Sequence, residues 1–489
     1  MTLKEHGIVA IDIGSSSIRV SLFTKNDGIK DMWKISHSLH ARFAADSLWI
    51  QIKQLIQKAV KAYPGVRVNA MAVSSFLGWV VIDEKGEPVE PAWGWKAYAE
   101  DNYVDMVLNC LPDNTAVTIG RKPSKDLTAF LWGNTLKKYP AATVLSYKDY
   151  CIYKLTGVLK MDRTHASYTG LLSISERRWD ADMIKYFDIP AHSLPELGDG
   201  EDVAGGVMEK MAAELGVSAG IPVALSGPDG TMAVLGSGGV APGKTVEVLG
   251  TTDVFFHINH YVEKRELYDE GLVQNCFLDS ELYGIGGPMG MTGGTVDWFM
   301  KEWELDYDNE AFQDIWRDWR KIRTIEDGLY IIPTFTGARV PDWNSSVRGT
   351  VVGLKPEHSR VELYKAAVEG VAFLTARLRK KMKNLIDIGE EMIAIGGGAK
   401  NKILLQTRAS ASNCYIYIPE ETEASTIGAI LLAAKNAGFY SSLEVGMRQL
   451  NPIKEKVVPD QNEVQKYKRP LQKYSDLISH MDQWYDKQR

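Results

Sequence analysis

The first hundred residues of the chain show two different hydrophobic periods. Apolar side chains alternate with other residues along 7–14 and again along 18–23, and a serine-rich turn separates the two runs, which predicts an antiparallel hairpin. From Trp49 to Tyr63 apolar positions recur every three or four residues, and Pro64-Gly65 follows. This predicts an amphipathic helix capped by Asp46 or Ser47. Residues 70–74 again resemble a strand, so we expect an α/β fold.

The same strand, turn and strand plan returns in the second half of the chain. Residues 244–256 contain two apolar strands around Gly250-Thr251-Thr252, as the first hairpin surrounds Gly14-Ser15-Ser16. This predicts two related lobes, residues 1–243 and 244–489. A capping box at Ser359 and Glu362 predicts a helix start, and further helices are predicted over 424–437, ending at Gly438, and after Pro470.

Composition narrows the range of partners and locations. The 56 Lys and Arg against 62 Asp and Glu give a net charge of −6. The net charge therefore provides no overall electrostatic attraction to nucleic acid or to an anionic membrane. The four cysteines stand singly, which is typical of a reducing compartment. The chain has no secretory apolar segment, and its apolar runs are far shorter than the roughly 20 residues of a membrane span. We expect a cytoplasmic protein without a nucleic-acid or membrane partner.

Residues 238–245 match the phosphate-binding pattern G-x-x-x-x-G-K-[ST] letter for letter. A P-loop, however, requires a helix after the lysine, whose amide groups bind the phosphates. The residues after Lys244 alternate as a strand does, and Pro242 removes one amide donor. We therefore interpret Lys244 as part of an exposed turn, with a P-loop site as the less favoured alternative.

Two aspartates stand where phosphate chemistry could use them. Asp12 ends the first strand, and the Gly-Ser turn and Arg19 behind it offer phosphate donors and a cation beside a ligand for Mg²⁺. Asp229 lies in the Gly- and Pro-rich residues 226–231, which we interpret as a loop. It is a candidate general base if the rest of a phosphoryl-transfer site exists, and otherwise an ordinary turn former. His257 and His260 are predicted on opposite faces of a strand, which favours structural or surface histidines over a metal pair.

These pieces occur in one order, and in that order the sequence resembles the FGGY family of carbohydrate kinases, part of the actin, hexokinase and Hsp70 ATPase superfamily. Residues 12–19 resemble its first phosphate motif and 249–252 its second, while Pro228-Asp229-Gly230 falls where the family carries its catalytic aspartate. The remaining landmarks are residues 154–157, 179–180, 194–197, the glycine pair 293–294, the C-terminal signature in 349–369 and the adenosine motif 396–401.

The resemblance implies two RNase H-like (actin-like ATPase) lobes with a central cleft, the sugar held mainly by the first lobe and ATP by the second. It implies that Asp229 removes the proton of the sugar hydroxyl, and that Asp12 and Asp229 hold Mg²⁺. Implied contacts with the phosphates and the nucleoside are Ser15, Ser16, Arg19, Gly250, Thr251, Thr252, Gly293, Gly294, Gly397, Gly398 and Asn401. Implied substrate contacts, besides Asp229, are Phe76, Leu77 and Trp95.

The sequence also departs from the family pattern. Xylulose and gluconate kinases of this family commonly carry Met-His-Gly or Met-His-Ser where this chain has Phe76-Leu77-Gly78, and their Trp-x-Asp-x-Arg element is Trp95-Lys96-Ala97-Tyr98-Ala99 here. We expect an ATP-dependent kinase of a small sugar, polyol or sugar acid. The alternatives are a non-catalytic sugar or nucleotide sensor of the same fold and a P-loop NTPase using Lys244. The sequence leaves open which sugar is bound and whether two copies form a homodimer.

Overall fold

The computed structural model of the chain describes residues 5–303, 317 and 319–487. The strands of the first half are β1 (Glu5–Ile13), β2 (Ser17–Thr24), β3 (Gly28–Ser36), β4 (Arg42–Phe43), β5 (Val66–Ser75), β6 (Gly78–Ile82), β7 (Ala92–Gly94), β8 (Thr143–Ser146), β9 (Lys160–Asp162), β10 (Leu172–Ser173), β11 (Arg178–Trp179), β12 (Glu196–Gly198), β13 (Val203–Gly206) and β14 (Pro222–Ala224). Its helices are α1 (Ala45–Ala62), α2 (Asp101–Leu108), α3 (Thr115–Ile119), α4 (Ala129–Lys138), α5 (Tyr147–Thr156), α6 (Arg163–Ala166), α7 (Ala181–Tyr186), α8 (Glu209–Leu215) and α9 (Asp229–Gly236), with a 3₁₀ turn at Ala191–Ser193.

The second half is built in the same alternating way. Its strands are β15 (Thr245–Val248), β16 (Asp253–His260), β17 (Val273–Cys276), β18 (Leu282–Gly290), β19 (Tyr330–Ile332), β20 (Thr350–Val352), β21 (Glu391–Ile395), β22 (Tyr415–Pro419) and β23 (Ile453–Val457). Its helices are α10 (Arg265–Asp269), α11 (Gly293–Glu302), α12 (Arg360–Lys383), α13 (Lys402–Ser412), α14 (Ala424–Asn436), α15 (Leu443–Leu450) and α16 (Gln461–Asp486), with a 3₁₀ turn at Gly397–Lys400.

Each half contains one large mixed sheet, and the two sheets share a plan. The first has the strand order β13-β14-β5-β1-β2-β3 and the second the order β17-β18-β16-β15-β21-β22-β23. In the first, β1 pairs antiparallel with β2 and parallel with β5; in the second, β15 pairs antiparallel with β16 and parallel with β21. The predicted hairpins, the α/β class and the two related RNase H-like lobes are thereby confirmed.

The central strand β1 is buried on both faces, which explains its almost unbroken apolar run. Ile11 packs in a core cluster with Ile52 and Ile56 of α1. Ala10 packs on the opposite face with Leu431 of α14, a helix from the second half of the chain. A strand covered by helices on both sides needs apolar residues at successive positions. The second half of the chain therefore completes the core around the first sheet.

Two glycines allow α9 and α14 to cross in close contact. A Cβ atom on Gly236 would overlap the carbonyl oxygen of Ala424, and one on Gly428 would overlap that of Met232. Glycine at these positions lets the two backbones approach where any side chain would separate them. The crossing places the N-terminus of α9 and the first turn of α14 beside the carboxyl end of β1.

Three local predictions are wrong. The helix α1 begins at Ala45 after Ala44, which makes no side-chain cap, and Asp46 instead accepts a hydrogen bond from Tyr150. Residue 229 is the first residue of α9 and not part of a loop. The last helix begins at Gln461 and contains Pro470.

The other local predictions of helix ends are confirmed. The capping box of Ser359 and Glu362 is present at the start of α12, and Gly438 follows α14 with a φ of 75°. None of the described helices is both long enough and apolar enough to span a bilayer.

Candidate active site

The Asp12 carboxylate lies at the carboxyl end of β1, where both halves of the chain meet. The residue is 1% exposed. Ser74, its register partner on β5, donates a hydrogen bond of 2.9 Å to Oδ1. Oδ2 accepts hydrogen bonds from Arg19 at 3.1 Å, from Ser425 at 2.7 Å and from Thr426 at 3.3 Å. Because Ser425 and Thr426 belong to α14, Asp12 connects the two lobes.

The turn after Asp12 exposes its serines to solvent. Ser15 and Ser16 are both exposed, and the turn is closed by a 2.9 Å hydrogen bond from the Gly14 amide to the Ser17 carbonyl. The Arg19 guanidinium lies 3.1 Å from Asp12 and 3.3 Å from the exposed Glu423. The turn thus presents hydroxyl groups to solvent, as a phosphate-binding loop requires.

Asp229 opens α9 next to the end of β5. Pro228 forms a bridge with Ser75, and the Gly230 amide donates a 2.7 Å hydrogen bond to Asp229 Oδ1. Burial and the neighbouring charge of Asp12 raise the pKa of Asp229 to about 6. A carboxylate with this pKa is still mostly ionised at neutral pH and holds a proton more tightly than a free aspartate, which suits a general base.

A fully buried polar network lies close to Asp229. The Lys148 ammonium lies 3.1 Å from Asp162 and also contacts Asp149, while His165 Nδ1 and Asp162 share a 2.6 Å hydrogen bond. Burial alone would raise the pKa of Asp162, but the charges of His165 and Lys148 hold it well below its usual range. Among the described residues, Asp149, Asp162 and His165 form one group with metal-ligand spacing. Because the Lys148 ammonium and the His165 ring already contact these two carboxylates, this group is better described as an ion-pair network.

The second phosphate-type turn, Gly250-Thr251-Thr252, joins β15 to β16. The Gly294 amide, in the first turn of α11, donates a 3.1 Å hydrogen bond to the Thr251 carbonyl. A Cβ atom on Gly293 would overlap the Gly250 carbonyl oxygen, so this close approach requires glycine. The structure therefore brings together all five residues that the resemblance implies for this part of the phosphate site.

A buried arginine, Arg408, pairs with carboxylates on the two strands that flank that turn. Arg408 on α13 lies 2.8 Å from Asp253, the first residue of β16, and 2.8 Å from Glu247 on β15. Thr375 donates a 2.7 Å hydrogen bond to Glu247, and the Asp253 amide donates one of 3.0 Å to Thr292. The guanidinium thus fixes both strands that carry the turn.

The implied nucleoside motif packs against the same turn. Gly396 has a φ of 88°, and the Gly398 amide donates a 3.0 Å hydrogen bond to the Leu249 carbonyl. Gly397 has open space around its α-carbon. Asn401 is buried, and its Oδ1 caps α13 by accepting a 3.0 Å hydrogen bond from the Leu404 amide. Gly397 and Gly398 therefore lie beside the phosphate turn, whereas Asn401 serves first as a helix cap.

The three residues implied as substrate contacts besides Asp229 differ in how exposed their side chains are. Phe76 is 2% exposed and stacks on Tyr147 with ring centroids 5.8 Å apart, so its ring belongs to the core, and its contact with a substrate stays a prediction. Leu77 keeps part of its surface exposed. Trp95 is 43% exposed, with the Lys96 ammonium 5.1 Å from its ring centroid. Leu77 and Trp95 thus remain accessible and Phe76 does not.

The P-loop interpretation of Lys244 is wrong. Lys244 is exposed, and the residues after it form β15, in which Thr245 pairs with His257 of β16. Because no helix N-terminus follows the lysine, its turn cannot present the row of amide groups that a P-loop offers to phosphates.

Sequence reasoning missed the partners of Asp12 and of Asp253. Ser74 could have been found, because it ends the strand predicted over 70–74 and parallel neighbouring strands end at the same sheet edge. Ser425, Thr426 and Arg408 gave no such signal, since each comes from a helix distant in sequence.

A two-lobed α/β fold with a phosphate-suited turn at the same edge of each sheet, and with Asp12 and Asp229 close together, defines a phosphotransferase of the actin-like ATPase class. Residues 7–236 match the N-terminal domain of the FGGY family of carbohydrate kinases, and residues 246–437 match its C-terminal domain. The chain belongs to the FGGY family of carbohydrate kinases and is a sugar kinase.

Individual relatives agree with this assignment. The chain is 29% identical over 344 residues to the xylulose kinase of Bacillus subtilis (strain 168), an alignment that covers 69% of this chain and 67% of that protein. It is 23% identical over 460 residues to the gluconokinase of the same strain, covering 89% of each. Its fold matches the ligand-bound xylulose kinase from Lactobacillus acidophilus with a TM-score of 0.88 at 20% identity, covering 99% of this chain and 100% of that one.

Proposed function

We propose that Asp229 is the general base when this sugar kinase phosphorylates a hydroxyl group of a small sugar, polyol or sugar acid with ATP. The observation that carries the proposal is the placement of Asp229, with its raised pKa, beside Asp12. The sugar oxygen attacks the γ-phosphorus, and the bond from that phosphorus to the bridging oxygen breaks. ADP leaves with the electron pair of that bond, and the hydroxyl proton passes to Asp229.

The residues around Asp12 fit a magnesium ion. Carboxylate oxygens are the ligands that Mg²⁺ prefers, and the described residues leave Asp229 Oδ2 without a hydrogen-bond donor. Asp12 Oδ1 accepts one hydrogen bond, from Ser74, and keeps a second lone pair. We propose that Asp12 and Asp229 hold Mg²⁺, which when bound would neutralise charge on the β- and γ-phosphates.

We further propose that the two exposed turns bind the phosphates of ATP from opposite lobes. Ser15 and Ser16 would donate from the first turn, and Gly250, Thr251 and Thr252 from the second, whose shape depends on Gly293 and Gly294. The Arg19 guanidinium stands between Asp12 and the exposed Glu423, so it could exchange Glu423 for a phosphate oxygen. Gly397 and Gly398 would border the nucleoside.

The lobes in this proposal are residues 1–243 and 244–489, and the turn around Gly243 separates them. The proposal includes a cytoplasmic location, which the unpaired state of all four cysteines supports. A homodimer stays a prediction, and sedimentation of the purified chain tests it.

A coupled assay of ADP release over ketopentoses, polyols and sugar acids tests the proposed base. We expect Asp229→Asn to lower kcat by about 10²- to 10⁴-fold, since general-base catalysis contributes that much. Asp182→Asn, at an exposed carboxylate on α7, is the matched control and should leave turnover unchanged. Normal turnover in Asp229→Asn would remove the assignment, whereas sugar binding without ADP release in the wild type would favour the sensor.

A further inference from the structure

Arg121 is a buried arginine that has no counter-ion among the described residues. The residue is 6% exposed, yet within the described part of the chain its guanidinium has no hydrogen bond and no carboxylate within 4.0 Å. Its guanidinium carbon lies 5.8 Å from the ring centroid of Tyr168 and 5.9 Å from that of Trp343. A buried charge is costly unless it is paired and hydrogen-bonded. Among the described residues, the guanidinium therefore lacks an anion that would compensate the cost of burying its charge.

The backbone holds Arg121 firmly in this place. Gly120 precedes it with a φ of 73°, and its carbonyl accepts a 2.8 Å hydrogen bond from the Gln274 amide of β17. A Cβ atom on Gly120 would overlap the Gln274 carbonyl oxygen. The Trp343 indole, whose ring lies next to Arg121, donates a 2.7 Å hydrogen bond to the Gly271 carbonyl. Arg121 thus lies where the first lobe meets the second, with each contributing one of the flanking aromatic rings.

A second arginine adds positive charge to the same place. Burial, and to a smaller extent Arg339, lower the pKa of Arg121, while the nearby Tyr168 and Asp126 act against this. Arg339 also has no ion pair among the described residues, and Asp126 approaches neither arginine to within 4.0 Å. The Asp342 and Trp343 amides, at 2.7 and 2.8 Å, donate to the Arg339 carbonyl and fix its loop. Two arginines thus face one carboxylate, and the local charge is positive.

Tyr168 connects this positive site to the proposed base. Its side chain is partly exposed, and its hydroxyl is influenced by the charges of both Asp229 and Arg121. Asn275 lies beside that hydroxyl, and its buried Oδ1 has no hydrogen-bond partner in the part of the chain that the structure describes. Such an unpartnered acceptor fits a ligand hydroxyl. A small polyhydroxylated molecule along Tyr168 would have one end at Asp229 and the other at Arg121.

We propose that the substrate of this kinase is a sugar acid whose carboxylate is bound by Arg121, with Arg339 contributing from the other lobe. The inference rests on the proposed function and adds that the phosphorylated hydroxyl lies at the end of the substrate remote from the carboxylate. A carboxylate fits this position because a guanidinium can bind a planar carboxylate with two parallel hydrogen bonds. A guanidinium can bind a phosphate group in the same way, so sugar phosphates are the competing ligands in the test.

The test compares aldonates of five and six carbons with the alditols of the same length. We expect the wild-type kcat/KM to be on the order of 100-fold higher for the best aldonate, because a site built to pair a buried charge discriminates strongly against a neutral analogue. The variant Arg121→Met should remove most of that preference by raising KM for the aldonate. It should leave KM for ATP within about twofold and lower kcat/KM for the alditol much less than kcat/KM for the aldonate.

Matched variants separate binding from folding. Lys122→Met removes the neighbouring exposed charge, whose Nζ donates a 3.1 Å hydrogen bond to the Asp269 carbonyl, and should leave the preference intact. Arg121→Lys keeps the charge but loses the bidentate edge, so its preference should fall between those of wild type and Arg121→Met. If Arg121→Met does not fold, Arg121→Lys and Arg339→Met carry the test, and both should reduce the preference.

The outcomes distinguish this inference from the kinase proposal. Turnover of neutral sugars with no turnover of aldonates, an equal loss of both substrates in Arg121→Met, or a preference for sugar phosphates would each overturn the sugar-acid assignment while leaving the kinase activity in place. If no sugar gives ADP, thermal shift with the aldonates decides. Protection that Arg121→Met abolishes would uphold the carboxylate site without the proposed reaction, and absence of protection would overturn the site.

Discussion

The most informative single change is Asp229→Asn, because the pKa of this residue links the chemistry to stability. The substitution keeps the size of the side chain and the oxygen that accepts the hydrogen bond from the Gly230 amide. It removes the negative charge, which burial and Asp12 both disfavour in the folded protein. We therefore expect the variant to lose activity and to gain stability.

The size of the gain follows from the pKa values. Folding raises the pKa of Asp229 from an ordinary 3.8 to about 6. Because the folded state binds the proton more tightly, the wild type loses stability as pH rises between these two values. At about 1.4 kcal/mol per pKa unit, the ionised carboxylate costs up to about 3 kcal/mol at pH 7.5 and less than about 1 kcal/mol at pH 4. Since Asp229 is partly exposed, solvent screening reduces the cost, and we expect about 1–3 kcal/mol at pH 7.5.

Urea unfolding of wild type and Asp229→Asn at several pH values between 4 and 7.5 measures the effect. The stability difference should be small at pH 4 and grow until about pH 6, where it levels off. In the same window kcat/KM of the wild type should rise as Asp229 loses its proton. A stability difference that does not change with pH, or a less stable variant at pH 7.5, would refute the assignment of a raised pKa to this carboxylate.

Three further substitutions test other parts of the structure. Lys244→Ala should change KM for ATP by less than about twofold, because the lysine lies in an exposed turn before a strand; loss of nucleotide binding in that variant would restore the P-loop interpretation. Gly428→Ala should lower the free energy of unfolding, measured by urea denaturation, by about 1–3 kcal/mol, because its Cβ atom would overlap the Met232 backbone. A gain in stability would contradict the close crossing of the two helices. Arg408→Ala should cost about 3–5 kcal/mol in urea unfolding because it leaves two buried carboxylates unpaired, whereas a neutral effect would mean that they are protonated.

Some errors of sequence reasoning have an identifiable physical cause. Pro470 removes a backbone donor and normally ends a helix, but Tyr467 before it and Tyr474 after it are both buried on the same side of α16. Packing on both sides of the proline therefore maintains the helix. Asp46 was a reasonable cap by type, yet its carboxylate is engaged by Tyr150 from another helix. In both cases a tertiary contact outweighs a local preference.

What the sequence by itself determined is the part of the structure governed by neighbours along the chain. The strand alternation around Gly14 and Gly250, the period of α1 and the capping box at Ser359 all depend on local geometry, and they led to the two lobes and to the two turns proposed to bind phosphate. The order of the motifs led to the family.

Only the tertiary structure decided which side chains meet in the cleft. Ser425 reaches Asp12 from the far end of the chain, and Arg408 reaches Asp253 from another helix. Arg121 stands beside Trp343 of the opposite lobe, without a counter-ion among the described residues. These contacts have no local signature, because the free energy of pairing a buried charge depends on which distant groups the fold brings within reach.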